Sequence, residues 1–188
     1  MNKTMNMFAL SLLILTLITA VILGFMAGPK SPLTWALVGV LVLIPFIHRK
    51  LMDRGNIIWK DQYSVGIDSI DQQHRKLVNL INQLTTAVDY STGEEFEREA
   101  LAELVGYTKT HFSYEEGLLE DNGYPGFEAH REEHRAMIAE VDAVLAEYEK
   151  DHDMAMRHAC DYLKGWLIDH INGTDKQYSS FLIGKGVR

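Results

Sequence analysis

Two hydrophobic patterns divide this chain. The first 58 residues contain two almost continuous apolar runs, whereas from Trp59 onward apolar residues recur at intervals of three and four. A continuous run predicts a helix that is apolar on all sides, and the interrupted spacing predicts amphipathic helices that bury one face. We therefore expect a membrane anchor over residues 1–58 and a helical domain over residues 59–188.

The apolar runs predict a transmembrane helical hairpin. Residues 7–26, MFALSLLILTLITAVILGFM, contain no charged residue. A helix of this length is about 30 Å long, which matches the core of a bilayer. The second run, LTWALVGVLVLIPFI, would reach only roughly 23 Å. We place the two spans at about residues 7–27 and 33–48. A cleaved signal peptide fits less well because Phe25 lies where a small residue should precede cleavage at Ala27.

The distribution of basic residues predicts the orientation of this hairpin. Two spans put both flanking segments on one side, and these carry four Lys or Arg against one, Lys30, in the loop. Basic segments stay on the cytoplasmic side. We expect a multi-pass protein of the cytoplasmic (inner) membrane, in contact with lipid, whose second domain faces the cytoplasm. If only the first run spans, that domain would face outward.

Charge and cysteine content narrow the function classes. Residues 59–188 hold 13 basic and 25 acidic residues. This acidic balance predicts no nucleic-acid binding, which needs clustered Lys and Arg. The single cysteine, Cys160, excludes an internal disulfide and fits a reducing compartment.

The second part predicts an all-α fold, because its apolar spacing is helical and strand signals are poor. Boundary signals predict four helices. The first begins at a capping pair formed by Asp68 and Asp71, and the second is capped at Ser91 and ends at the turn NGYPG, residues 122–126. The third follows this turn, and the fourth begins near Asp153 and stops around Gly173. The connections are short. We therefore predict an up-down-up-down four-helix bundle.

Each predicted helix carries side chains that bind metal ions. They are His74 on the first, His111 and Glu115 on the second, His130 and His134 on the third, and His170 and Asp175 on the fourth. Residues four apart share one helix face. The step from His170 to Asp175 leaves the side chains about 140° apart on an ideal helix. A distorted turn at Gly173 would bring them together. Seven ligands exceed the four of tetrahedral zinc and suit two ions bridged by carboxylates.

At these residues the chain resembles the hemerythrin family. Four segments look like successive motifs of that family, in its order, over about residues 59–178. They are WKDQYSVGIDSIDQQHRKLVNLIN, HFSYEEGLLEDNGYP, HREEH and WLIDHINGTD. The resemblance implies two iron ions in a non-haem di-iron site that binds O2 reversibly.

The resemblance also implies a role for each residue. One iron would be held by His130, His134 and His170, and the other by His74 and His111, with an open position for O2. Glu115, Asp175 and an oxo or hydroxo group would bridge the irons. The apolar O2 pocket of the family corresponds to Leu77, Phe112, Trp166, Leu167 and Ile171.

Three other interpretations fit less well. HREEH alone matches the H-x-x-E-H motif of zinc peptidases, but that motif leaves His74, His111 and His170 unexplained. Ferritin-like di-iron oxidases use Glu-x-x-His pairs, and no Glu lies three residues before any of the five histidines. A helical adaptor with a vestigial site would not retain all seven ligands.

The expected function is O2 storage or delivery at the membrane, with a membrane oxidase or oxygenase as the candidate partner. The alternatives are an O2 or redox sensor that acts through another protein, and a di-iron oxidase or peroxidase. Of the remaining polar residues, Asp71 is expected to cap a helix or orient a ligand. We expect His152, His158, Glu132 and Glu133 to be solvated.

Overall fold

The computed structural model describes residues 3–28, 30–52, 55–146, 148 and 151–188. Its helices are α1 (Lys3–Ala27), α2 (Pro32–Met52), α3 (Asp68–Tyr90), α4 (Glu94–Asp121), α5 (Phe127–Ala146), α6 (His152–His170) and α7 (Lys176–Gly184). A short 3₁₀ turn covers Asp61–Tyr63, and a π-helical turn, Ile171–Asp175, joins α6 to α7. Over these ranges there is no β-strand, so the all-α prediction is confirmed.

The chain forms two compact units, Met1–Asn56 and Ile57–Arg188. In the first unit α1 packs against α2. The rings of Phe25 and Trp35 meet edge to face at 5.6 Å. Thr34 is buried against Gly24, where a Cβ atom would lie 2.5 Å from the Thr34 hydroxyl oxygen. The two helices can therefore approach closely only because residue 24 lacks a side chain.

The apolar side chains of the first unit are largely exposed. Phe8, Leu12, Leu15 and Met26 are all more than half exposed. The stretch Phe8–Ala27 in α1 has a mean hydropathy of 2.6 and is long enough to cross a membrane, whereas the apolar stretch Pro32–His48 in α2 is shorter. One such helix near the amino terminus is weak evidence for membrane association.

The second unit is the predicted helical bundle. α3 contacts α4 and α6, and α5 contacts the same two helices, so the four helices close a ring. The centre of the ring is filled by side chains that are at most 2% exposed, among them Leu84, Leu104, Leu119, Met137 and Met156. Burial of each such side chain stabilises the fold by about 1.5–3 kcal/mol.

Of the helix starts predicted at Ser91 and near Asp153, only the first differs from the structure. Ser91 does not cap α4; it adopts a left-handed conformation, φ 49°, and ends α3 with its backbone N–H bonded to the Val88 carbonyl. Many helices end with a left-handed residue that turns the chain away, and here that residue is a serine rather than the more common glycine. α4 begins at Glu94, after Gly93 at φ 114°. α6 begins at His152, where the Asp151 carboxylate accepts the Met154 N–H at 3.0 Å.

The fourth helix does not stop around Gly173. The chain stays helical through the π-helical turn and α7 because Tyr178 and Leu182 are fully buried. At the start of the bundle, the predicted capping pair is only half correct. Asp68 makes no side-chain cap, whereas Asp71 accepts the Val65 N–H at 2.8 Å and the Ser64 hydroxyl. Asp71 therefore holds the segment that leads into α3.

Candidate metal centre

All seven predicted ligand side chains lie inside the bundle, and none is more than 5% exposed: His74, His111, Glu115, His130, His134, His170 and Asp175. They come from α3, α4, α5, α6 and the π-helical turn. Burying so many polar groups in an apolar core is costly unless they are paired or bind an ion. The cluster is thus a candidate site rather than ordinary packing.

The ligand atoms form two groups that share one carboxylate. Glu115 lies with His130, His134 and His170 in one group and with His74 and His111 in the other, and the ligand atoms of each group are within 4.8 Å of one another. The Oε2 atom of Glu115 is 3.6 Å from His111 Nε2, 3.4 Å from His130 Nε2 and 3.5 Å from His134 Nε2. Two groups with a shared carboxylate can hold two ions.

Asp175 faces both groups with different oxygens. Its Oδ1 atom is 3.0 Å from His170 Nε2 and 3.9 Å from His130 Nε2, and its Oδ2 atom is 3.3 Å from His74 Nε2. The π-helical turn makes this possible, because its wider turn brings residues five apart onto one face. The distortion expected near Gly173 is present.

The arrangement of nitrogen atoms fits a bound cation. His134 Nε2 and His170 Nε2 are 3.0 Å apart, while the Nδ1 atoms of both rings face the carboxylates of Glu116 and Glu133. A neutral imidazole has one N–H, and here the carboxylates select Nδ1 to carry it. When both rings are neutral, the two Nε2 lone pairs therefore point at each other. A metal ion between them relieves that repulsion, so the donor set fits a bound metal.

Asp175 and His74 support the same conclusion. In the described part of the chain, His74 Nε2 and both Asp175 oxygens are buried without a hydrogen-bond partner. They lie close together, but not in hydrogen-bond geometry. Buried polar atoms without partners are rare in stable proteins. Atoms arranged around an ion would have this geometry.

Electrostatics keep most of the ligands in the forms that bind metals. Burial lowers the pKa of His111 to about 4 and that of His134 to about 2, so both rings are neutral at pH 7. Burial also lowers the pKa of His170, but the Asp175 carboxylate beside it outweighs this and raises the pKa overall. For Asp175, burial favours the neutral acid, but His170 and His74 hold its pKa well below the usual range. Protons therefore compete with a metal ion for His170 more strongly than for His111 or His134.

Three polar residues next to predicted ligands in sequence bond to an imidazole on the following helix. His111 Nδ1 is 3.0 Å from Gln73 Oε1, His134 Nδ1 is 2.9 Å from Glu116 Oε1, and His170 Nδ1 is 3.1 Å from Glu133 Oε2. Such bonds fix the tautomer and orientation of a ligand. Glu133 lies at the surface as predicted, with a side chain that is 50% exposed, but its bond to His170 was not predicted.

Tyr178 on α7 is a further polar group of the site that the sequence did not single out. It is fully buried and donates its hydroxyl to Glu115 Oε1. Burial, with the nearby charge of Glu115, raises its pKa well above the usual value of 10.0, so the hydroxyl stays a donor. Tyr178 therefore holds the carboxylate that the two groups share.

The five predicted pocket residues lie in the core. Leu77, Phe112, Leu167 and Ile171 are buried, and Trp166 is partly buried. The Phe112 ring stacks on His134 at 3.6 Å, and the Trp166 ring stacks on His170 at 4.3 Å. These two aromatic rings therefore shield imidazoles of the three-histidine group from solvent.

Two histidines outside the cluster behave differently from each other. His158 is exposed, as expected. The His152 side chain is only 16% exposed, and its Nε2 atom is 2.9 Å from Oε2 of Glu97, whose side chain is 5% exposed. A buried carboxylate needs a partner, and the pair joins α6 to α4.

The helical bundle, with two histidine groups that share one carboxylate, places this chain in the class of helical proteins whose core can hold a pair of metal ions. The sequence profile of the hemerythrin HHE cation binding domain matches residues 65–182 of this chain. The chain therefore belongs to the hemerythrin family.

Curated relatives and a solved structure agree with this assignment. The chain is 35% identical over 123 residues to bacteriohemerythrin of Stenotrophomonas maltophilia, covering 65% of this chain and 79% of that protein. It is 27% identical over 125 residues to myohemerythrin of Riftia pachyptila, covering 66% and 92% respectively. A crystal structure of a hemerythrin mutant superposes with a TM-score of 0.56 at 24% identity, covering 67% of this chain and 96% of that one, which shows the shared fold.

Proposed function

We propose that the second unit binds O2 reversibly at a non-haem di-iron centre. The observation that carries this proposal is the pair of buried histidine groups that share Glu115, with Asp175 directed at both. Membership of the hemerythrin family supports iron as the metal. When bound, the irons supply an open coordination position and the electrons that O2 binding requires.

The grouping of ligand atoms suggests which residue holds which iron. His130, His134 and His170 would hold one iron, and His74 and His111 the other. Glu115 and Asp175 would be shared. The group with two histidines has fewer protein ligands, so it is the group with room for O2.

The donor set favours binding over oxidation. Sites that oxidise substrates in ferritin-like bundles are rich in carboxylates, and additional negative charge stabilises iron in high oxidation states. This cluster has five imidazole ligands, which are neutral when they bind a metal, and only two carboxylates. The buried Leu77, Leu167 and Ile171 add apolar surroundings that exclude water and limit proton entry.

Reversibility is the property that tests this function. The chemically reduced full-length protein, held in detergent under argon, should gain a visible absorption band on exposure to O2. Purging with argon should remove the band without added reductant. An oxidase would instead pass directly to the ferric form and consume O2 repeatedly when electrons are supplied. Failure of purging to restore the ferrous spectrum in fresh protein would contradict reversible binding.

We further propose that α1 and α2 anchor this domain in the inner membrane with the bundle facing the cytoplasm. The exposed apolar surface of α1 and the excess of Lys and Arg in the segments flanking the two helices support this topology. A domain held there could store O2 for, or deliver it to, a membrane oxidase or oxygenase.

Reporter fusions test the topology separately from the chemistry. A protein that fluoresces only in the cytoplasm should be bright when fused after Arg188 and dark when inserted at Lys30. A dark fusion after Arg188 would mean that only one of the two helices spans the membrane.

A further inference from the structure

The hydrogen bonds around the two histidine groups differ in charge. In the three-histidine group, the Nδ1 atoms of His134 and His170 face the carboxylates of Glu116 and Glu133. In the two-histidine group, His111 Nδ1 faces Gln73, a neutral amide. Within the described ranges, His74 Nδ1 and His130 Nδ1 have no hydrogen-bond partner. One group thus has two outer carboxylates, and the other has none.

This difference should act on the irons through their ligands. An imidazole that donates Nδ1–H to a carboxylate becomes a more basic ligand than one bonded to an amide. Each carboxylate also brings negative charge near the metal. Both effects stabilise ferric over ferrous iron, and hydrogen bonding around a ligand is a recognised means of setting a reduction potential. An amide orients the ring without adding charge.

We propose that Glu116 and Glu133 are positioning residues that make the iron held by His130, His134 and His170 the first of the pair to be oxidised. The proposal rests on the di-iron function proposed above. In this step one ferrous ion becomes ferric, and its electron reduces an added one-electron oxidant such as ferricyanide to ferrocyanide. The other iron, next to Gln73, keeps its electron until the second step.

The two carboxylates should not contribute equally. The Glu116 side chain is 25% exposed and lies 2.9 Å from its imidazole nitrogen, whereas the Glu133 side chain is 50% exposed and lies 3.1 Å away. Solvent screens an exposed charge more strongly. Glu116 should therefore have the larger effect on the potential.

Glu133 has a second contact that links it to the backbone of the site. Its Oε2 atom also accepts the Thr174 hydroxyl at 2.7 Å, and Thr174 lies in the π-helical turn that carries Asp175. Loss of this residue should therefore loosen the turn as well as change the charge. Glu133→Gln keeps an oxygen acceptor and removes only the charge, so it separates the two effects from each other better than Glu133→Ala.

A redox titration of the iron-loaded, full-length protein in detergent tests the proposal. Two midpoint potentials can be followed by optical absorption and by the electron paramagnetic resonance of the half-oxidised form, which has an unpaired electron. The variants are Glu116→Gln, Glu133→Gln and Gln73→Glu. The matched control is Glu132→Gln, which removes the same charge from a side chain that is 71% exposed and pairs with Arg135.

Glu116→Gln should make the first oxidation about tenfold less favourable, which corresponds to about 59 mV for one electron. Glu133→Gln should have a smaller effect in the same direction, and the control should have none. Gln73→Glu places a carboxylate beside His111. It should lower the second potential and shrink the range in which the half-oxidised form accumulates.

The outcomes separate this proposal from the function on which it rests. Potentials in Glu116→Gln and Glu133→Gln that equal those of the control, with iron retained, would overturn the inference and leave O2 binding untouched. If a glutamine variant loses its iron, Gln73→Glu decides: an unchanged second potential would overturn the inference. A wild-type protein that holds two irons without reversible O2 binding would still give both potentials.

Discussion

Tyr178→Phe removes one hydroxyl from the centre of the site. In the folded protein that hydroxyl donates to Glu115 Oε1, and both side chains are 0% exposed. The phenylalanine ring fills the same space, so the substitution creates almost no cavity. What it leaves is a buried carboxylate oxygen that has lost its donor and cannot reach water.

The structure gives the size of this effect. A hydrogen bond to a charged group contributes about 1.5–3 kcal/mol, and this fully buried bond falls within that range. A loss of about 2 kcal/mol should lower the melting temperature of a domain of this size by roughly 6–10 °C. Iron should also dissociate faster, because Glu115 is then less firmly oriented.

Thermal unfolding of the iron-free protein in detergent, followed by circular dichroism, measures the loss. The matched control is Tyr114→Phe, whose hydroxyl bonds to Ser69 at 3.0 Å on a ring that is 41% exposed. A surface change of this kind should cost less than about 0.5 kcal/mol. Equal melting temperatures for the two variants would refute the role assigned to Tyr178.

Three further predictions concern protons, the thiol and the apolar lining. Because burial lowers the pKa of His111 to about 4 and of His134 to about 2, the iron-free fold binds fewer protons at these residues than the unfolded chain below pH about 6.5. The urea concentration at the unfolding midpoint should therefore decrease as the pH is lowered from 7 to 5. The raised pKa of His170 opposes part of this decrease. A midpoint that increases over this range would contradict the prediction. Cys160 is 4% exposed and burial raises its pKa to about 11, so a thiol reagent at pH 8 should modify it quickly only after denaturation. Leu77→Ser should speed conversion of the O2-bound protein to the ferric form, whereas Leu84→Ser, equally buried two turns further along α3, should leave that rate unchanged.

The helical bundle could be predicted from the sequence because its determinants are local. Apolar spacing of three and four fixes the buried face of each helix. His111 with Glu115, and His130 with His134, are four residues apart and share one face of any α-helix. Their approach in the folded protein needed only the packing of neighbouring helices.

The π-helical turn is only partly determined by local sequence. The five-residue step from His170 to Asp175 conflicts with an α-helix, but nothing local selects how the conflict is resolved. The choice depends on tertiary packing, since Tyr178 and Leu182 must still reach the core beyond the turn. The same packing explains why Gly173 does not end the helix.

The outer hydrogen bonds depend on geometry between helices. Gln73, Glu116 and Glu133 each adjoin a predicted ligand in sequence, yet each bonds to an imidazole of the next helix. The rotation of each helix about its axis decides such contacts. For the same reason His152, which a sequence pattern places in solvent, forms a largely buried pair with Glu97.

The metal content of the purified protein tests the central claim most directly. Elemental analysis of protein produced with ample iron should find about two iron ions per chain, one for each group of ligands. His111→Ala and His134→Ala should lose most of that iron, whereas His158→Ala, a change at an exposed position, should keep it. One zinc ion per chain without iron, or equal iron in all three variants, would contradict the di-iron centre proposed for these seven side chains.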